Sequence, residues 1–337
     1  MKTWQQLRSG MIALLGMFIL ILDTKTALRG AANGIEICLR TVIPSIFPFL
    51  ILSIFVNMAF TGIKIPFLTP IQKLCAIPSG AESIFLLGFL GGYPVGAQSI
   101  VHTYSSNILS EKDAHRMLGF CSNAGPAFIF GMGSQLFQSV TPLWVLWGIH
   151  IFSAILVGAL LPNREKSSCR PADDTRATLP NAVENSVKTI AVICGWVIGF
   201  RVLIAFLDHW ILWILPQTAK IAVIGFLELA NGCDYLTKIS NDAFRFILFS
   251  AFLGFGGICV SFQTVSVTKK LGTGMYFPGK ILQCIISFAL SSVCQYFIFS
   301  QRSIGWLILS AIILLLVTII VLFTRLNIRK KVVAIAG

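Results

Sequence analysis

The chain has 337 residues, 56% of them hydrophobic and only 12% charged, and its net charge is +13. A soluble domain carries about 25% charged residues, so this composition excludes a globule coated with polar side chains. The basic excess comes with no zinc finger and no aromatic–basic alternation, which excludes nucleic acid as a partner. It reads instead as loop charge obeying the positive-inside bias, in contact with a lipid bilayer.

At the N-terminus, Lys2 and Arg8 precede the apolar run Met11–Leu22, as in a signal peptide. Asp23-Thr24-Lys25-Thr26-Ala27 makes a poor small-residue cleavage site, so an uncleaved leading helix is the preferred reading. Runs long enough to cross a bilayer, roughly 20 apolar residues, then follow in order. They are Thr41–Phe60, Ser83–Val101, Met117–Val140, Thr141–Leu161, Thr189–Leu207, Trp210–Leu227, Phe246–Thr268, Ile281–Ser300 and Ser303–Thr324. The runs are continuously apolar rather than alternating, which excludes an outer-membrane barrel. The expected fold is an all-α, polytopic integral membrane protein of about 8–10 hydrophobic helices, in a multi-pass arrangement in a bacterial plasma membrane. The nine cysteines are scattered without a Cys-x-x-Cys, so neither a disulfide framework nor a metal site is expected.

The chain also repeats itself. Glu36-x-x-x-Arg40-Thr41 is echoed by Glu184-x-x-x-Lys188-Thr189, and Ser79-Gly80-Ala81-Glu82 by Asn231-Gly232-Cys233-Asp234. Gly91-Gly92-Tyr93-Pro94-Val95-Gly96-Ala97-Gln98 matches Gly256-Gly257-Ile258-Cys259-Val260-Ser261-Phe262-Gln263. Trp144 pairs with Trp306 and Arg164 with Arg325, all in the same order. The implied plan is a leading helix (1–33), membrane repeat one (34–164), a polar linker (165–183), repeat two (184–325) and a basic tail (326–337). Basic residues in the linker and tail put both on the cytoplasmic side, which favours parallel repeats; extra crossings or hairpin arms near Ile65–Pro78 and Trp210–Leu229 would invert them. Duplicated membrane units place their sites where the repeats meet.

Irregular backbone in a bilayer is tolerated only where protein buries it or where it faces a water-filled cavity. The breaks are therefore the best pointers to a binding site. The first is Gly91, Gly92, Tyr93, Pro94, Gly96 and Gln98, where Pro94 removes a donor and the glycines relax backbone sterics. The second is Asn123, Gly125 and Pro126; the third is Asn231 and Gly232, where Asn-Gly signals a turn or helix end. The counterpart of the first is Gly256, Gly257 and Gln263. Arg201 and Glu228 are the candidate intramembrane charges, read either as functional groups or as snorkelling and helix-end residues. Lone His102, His115 and His150 lack metal-ligand spacing.

These segments, together with Pro44-Ser45-Ile46-Phe47-Pro48-Phe49, Phe120-Cys121-Ser122-Asn123-Ala124-Gly125-Pro126 and Phe128-Ile129-Phe130-Gly131, resemble the YlbJ-type sporulation integral membrane proteins of the nucleoside-recognition, or Gate, superfamily. The likeness runs from about Gly34 to Phe323, and Gly-Tyr-Pro-Val-Gly-Ala is its most specific element; Gln98 stands where that family often has Lys. The resemblance implies a fold akin to concentrative nucleoside carriers, with inverted repeats, re-entrant hairpins and broken helices, and export of dipicolinic acid during sporulation. The expected function is transport of a small polar, anionic or aromatic metabolite, with a nucleoside-type carrier or a non-transporting membrane assembly subunit as alternatives. A small-molecule substrate and a homo-oligomer or partner membrane subunit are the expected partners, with no cofactor. No His-Glu-x-x-His, Gly-x-Ser-x-Gly or phosphate-binding loop points to an enzyme or an ATPase.

Overall fold

The computed structural model describes residues 2–161, 169, 178–269 and 271–299, with 305, 308, 311 and 312 beyond them. Expectations for Arg164, Trp306, most of Ser303–Thr324, Arg325, the basic tail and most of the linker fall outside those residues. All regular elements among the described residues are helical. In chain order they are α1 (Lys2–Leu22), α2 (Thr24–Ile37), α3 (Ile43–Phe60), α4 (Thr69–Leu74), α5 (Glu82–Leu90), α6 (Val95–Ser105), α7 (Glu111–Leu118), α8 (Pro126–Gly133) and α9 (Thr141–Leu160). The second half holds α10 (Leu179–Trp210), α11 (Gln217–Leu227), α12 (Leu229–Leu236), α13 (Asp242–Phe255), α14 (Gly257–Thr268) and α15 (Tyr276–Ile298).

Five described segments are long and apolar enough to cross a membrane: Thr24–Phe60, Thr141–Leu160, Leu179–Trp210, Asp242–Thr268 and Tyr276–Ile298. Their polarity is inside-out, as hydrocarbon requires. On α15, Lys280, Gln283, Ser287 and Ser291 recur at helical spacing and are fully buried, while Phe277, Ile281 and Phe297 are exposed. The chain is thus an all-α protein of membrane-spanning type.

Element boundaries differ from the apolar runs where proline and glycine intervene. α2 continues through a π-helical turn (Cys38–Val42) into α3, making one rod of 37 residues. Pro44 follows that turn; lacking an N–H and crowding the carbonyl four residues back, it favours the wider register. The run Ser83–Val101 is two helices, α5 and α6. Met117–Val140 is no single crossing, because Gly119–Gly125 leaves the helical path between α7 and α8, and Trp210–Leu227 yields only the 11 residues of α11. Helix α10 starts at Leu179, inside the stretch read as polar linker: Pro180 in its first turn has φ preset for a helix and needs no donor there. Met11–Leu22 belongs to the longer, 21-residue α1.

The rod and α10 pack antiparallel at short range. A Cβ on Gly30 would lie 2.9 Å from Val202 Cα, and one on Gly34 would lie 2.9 Å from Ile198 Cα; Cys38 Sγ meets the Cys194 carbonyl at 3.8 Å. Each step of four residues along one helix is matched by four backwards along the other. Small residues permit such an approach, and dispersion at the contact holds it.

A second close approach organises the interior. Helices α5 and α6 form a hairpin around the unwound Phe120–Gly125 strand, and a Cβ on either Gly88 or Gly96 would run into the Cys121 carbonyl oxygen. Gly96→Ala should therefore destabilise the fold by about 1–3 kcal/mol, the usual cost of overpacking. Gly131→Ala on α8, with nothing within 4 Å of the new methyl, should be neutral. Paired thermal melts of the two variants in detergent check this: a sharply lower Tm for the first alone.

Candidate functional site

Four breaks in helical structure converge. Gly92 has φ +78°, and Gly256 and Gly257 have φ +84° and +85°, left-handed conformations that side chains resist. These bends let α5 turn into α6 and α13 turn into α14. A Cβ on Gly256 would lie 3.0 Å from the Tyr93 ring, and the Tyr93 hydroxyl donates to the Leu253 carbonyl at 3.2 Å, so the two bends touch. The third break abuts the first: a Cβ on Gly92 would sit 3.0 Å from Gly125 N. The fourth, at Glu228 between α11 and α12, lies against Gly257.

The breaks surround a small chamber lined by Gly91, Gly92, Tyr93, Ala124, Gly125, Glu228 and Gln263, together with Val42, Ser45 and Ile46 of the rod and Ile193 and Val197 of α10. Its volume of about 50 Å³ is room for a few waters at roughly 10–15 Å³ each. A larger solute requires the walls to part. Glu228 is 2% exposed and caps α12, accepting from Ala230 N at 3.0 Å, Asn231 N at 2.6 Å and Asn231 Nδ2 at 2.7 Å. Three N–H donors at a helix N-terminus are what a buried carboxylate needs.

Behind Tyr93 lies a polar cluster built on α15. Lys280 is wholly buried, and its ammonium donates to the Tyr93 hydroxyl at 3.1 Å, Asn123 Oδ1 at 3.3 Å and Gln283 Oε1 at 2.5 Å. Gln283 Nε2 donates to Asn123 Oδ1 at 2.9 Å, and Asn123 Nδ2 donates to the Phe120 carbonyl at 2.8 Å. His150 Nε2 accepts from Ala124 N at 3.0 Å, which places the proton of a neutral ring on Nδ1. Ser287 extends the cluster to Ser153 of α9 at 2.9 Å.

Two larger cavities flank the chamber along the rod and α10. One, of about 360 Å³, is lined by Ser53, Asn57, Gln98, His102, Asn185 and Lys188, among others. The other, of about 390 Å³, holds Arg29, Asn33, Arg201, Asp208, His209 and Lys220. Asn185 and Asp208 lie roughly 35 Å apart along α10 at about 1.5 Å per residue, about the thickness of a bilayer core. The two cavities therefore sit at opposite ends of the helix pair with the chamber between them.

Of the residues singled out from sequence, Gly91, Gly92, Tyr93, Gly125, Gln263 and Glu228 line the chamber. Pro94 and Gly257 belong to its bends, with Gly256 against Tyr93, and Pro126 starts α8. Asn123 stands behind the wall in the Lys280 cluster, and Asn231 clamps Glu228. Gly96 and Gly232 are close-packing positions, the latter inside α12 against Gly225 rather than in a turn. Gln98 lies in the first flanking cavity, donating to Thr189 Oγ1 at 2.7 Å. Arg201 lines the second, 3.8 Å from Asp234, and does not line the chamber. Sequence reasoning missed Lys280, Gln283 and the role of His150. The recurrence of Lys280, Gln283, Ser287 and Ser291 at helical spacing was the available signal.

Among the described residues, no group of three or more His, Cys, Asp or Glu side chains is placed to hold a metal ion. Comparison with protein-family models, curated proteins and solved structures returns no match.

The Lys280 cluster has a stability consequence. Gln283→Leu removes an acceptor from a buried ammonium and a donor from Asn123; hydrogen bonds to charged groups contribute about 1.5–3 kcal/mol each. Chemical or thermal unfolding should show a loss of at least that size, whereas Gln98→Leu, at the edge of an open cavity, should cost far less.

Proposed function

We infer that this chain is a membrane carrier rather than an enzyme, moving a small polar metabolite between two vestibules by way of the small chamber where the broken helices meet. The observation that carries the reading is the row of three cavities along one antiparallel helix pair, with the smallest of the three, ringed by broken helices, in the middle. A structural subunit has no need of unwound backbone around a central chamber and an open cavity at each end.

Internal duplication supports the same reading. Glu36 on the rod and Glu184 on α10 correspond at an offset of 148 residues. Val42 and the residue 148 beyond it, Ile190, share one buried cluster. Because these corresponding helices run antiparallel, the geometry favours inverted over parallel repeats. The bend between α5 and α6 recurs between α13 and α14, and the pair α7–α8, Glu111–Gly133, corresponds at an offset of 165 to α15, Tyr276–Ile298. Inverted repeats with discontinuous helices at their interface suit alternating access, in which one unit rocks against the other.

The solute is a small anion, with dipicolinate as the candidate that the resemblance to sporulation membrane proteins implies. The vestibule walls carry the cationic side chains Arg29, Arg201 and Lys220 at one end and Lys188 at the other, three of them paired with carboxylates (Lys220 with Asp208, Arg201 with Asp234, Lys188 with Glu184), so the choice of an anion rests on the resemblance. A plasma-membrane setting in a bacterium belongs to the same proposal. Counterflow of labelled dipicolinate into proteoliposomes, with uridine as competitor, tests it. Saturable counterflow indifferent to uridine is the expected result. Inhibition by uridine would move the substrate to nucleosides, and no flux of either would remove carrier activity from this chain alone. Gln263→Leu, which strips a polar group from the chamber wall, should weaken counterflow about tenfold, the effect of losing one hydrogen bond of about 1.4 kcal/mol.

A further inference from the structure

Lys280 is the one fully buried ammonium among the described residues, and its surroundings are unusual for a buried lysine. Burying a charge is costly unless it is paired, and the ordinary solution is a carboxylate. Here all three acceptors are neutral oxygens: a phenol, an Asn amide and a Gln amide. Three donors meet three oxygens, so the ammonium's hydrogen-bonding capacity is filled. The group lies at the junction of the two bends, bonded to Tyr93 of the first, whose hydroxyl bonds in turn to Leu253 in the last turn of α13. The C-terminal ends of α5 and α13, each a partial negative charge, both terminate at these bends. A ring of neutral oxygens near the ends of broken helices is the environment in which carriers hold a coupling cation.

We propose that Lys280 is a tethered cation: its ammonium fills a three-oxygen cation site formed by Tyr93, Asn123 and Gln283, in place of a dissociable coupling ion. The bends are held together by a group covalently attached to the chain, and the carrier runs without bound sodium. The meaning of this inference rests on the carrier reading, but its test does not.

Lys280→Ala empties the site and leaves the three oxygens. Thermal stability of purified full-length protein is measured in sodium chloride, ethylammonium chloride and choline chloride at equal ionic strength. Wild type should show the same Tm in all three. Lys280→Ala should melt lower in choline and regain at least half of the loss, saturably, with sodium or ethylammonium. An Ala variant that neither cation stabilises, or that melts like wild type in choline, overturns the proposal. If Lys280→Ala does not fold, Lys280→Ser, which also leaves the three oxygens, decides by the same three melts. Saturable stabilisation of the folded Ser variant by sodium or ethylammonium over choline supports the tethered cation; one and the same Tm in all three salts overturns it. The melts need no solute, so a failed substrate assignment and a failed cation assignment remain distinguishable.

Discussion

Every peptide group inside a bilayer has to find its hydrogen-bond partner within the protein, and the places where this chain stops being helical are the places where that demand is hardest to meet. The solution is to stack the breaks on one another. The unwound Phe120–Gly125 stretch threads the hairpin of α5 and α6, with the Cys121 carbonyl against two glycines, and Gly92 abuts Gly125. Gly257 lies against the capped start of α12, where the Glu228 carboxylate takes up two orphan amides. Each break shields another, and the chamber is the residual space between them.

The same constraint explains the interior charges. Glu228 and Lys280 stand on opposite sides of the bends, each satisfied by several hydrogen bonds from neutral groups rather than by a direct ion pair. Such groups are bound to the local geometry: an ammonium with three oxygens in place, or a carboxylate on a helix N-terminus, loses partners if the backbone moves. Motion of the bends is therefore coupled to the hydrogen bonding of two charges. A carrier that must open and close around a solute has use for that coupling, and a rigid scaffold does not.

Much of this was legible in the sequence, for identifiable reasons. Low charge and long apolar runs specify membrane helices through composition alone, and Gly91–Pro94, Gly125–Pro126 and Gly256–Gly257 mark breaks because glycine and proline act locally on the backbone. Less legible was whatever depends on how distant segments meet. Lys280 follows Pro278 and Gly279 at the edge of an apolar run, where a lysine reads as a snorkelling flank; only the packing of α7, α9 and α13 around α15 buries it. Gln98 and Arg201 looked like site residues, yet helical phase turns them into the flanking cavities. The order of breaks was readable from the residues, whereas inverted repeats were expected only from the family resemblance, since loop charges alone pointed towards parallel ones.

Two cavities at opposite ends of the helix pair, with a small chamber between them, distinguish a carrier from a packed scaffold only if they open to opposite membrane faces. Cysteines placed singly at Asn57 and at Asn33, in a background without the nine native cysteines, report this directly. Each is treated with a membrane-impermeant thiol reagent from one side of sealed vesicles and then from the other. The carrier geometry predicts that the two positions react from opposite faces. Labelling of both from the same face, or of neither, would contradict it.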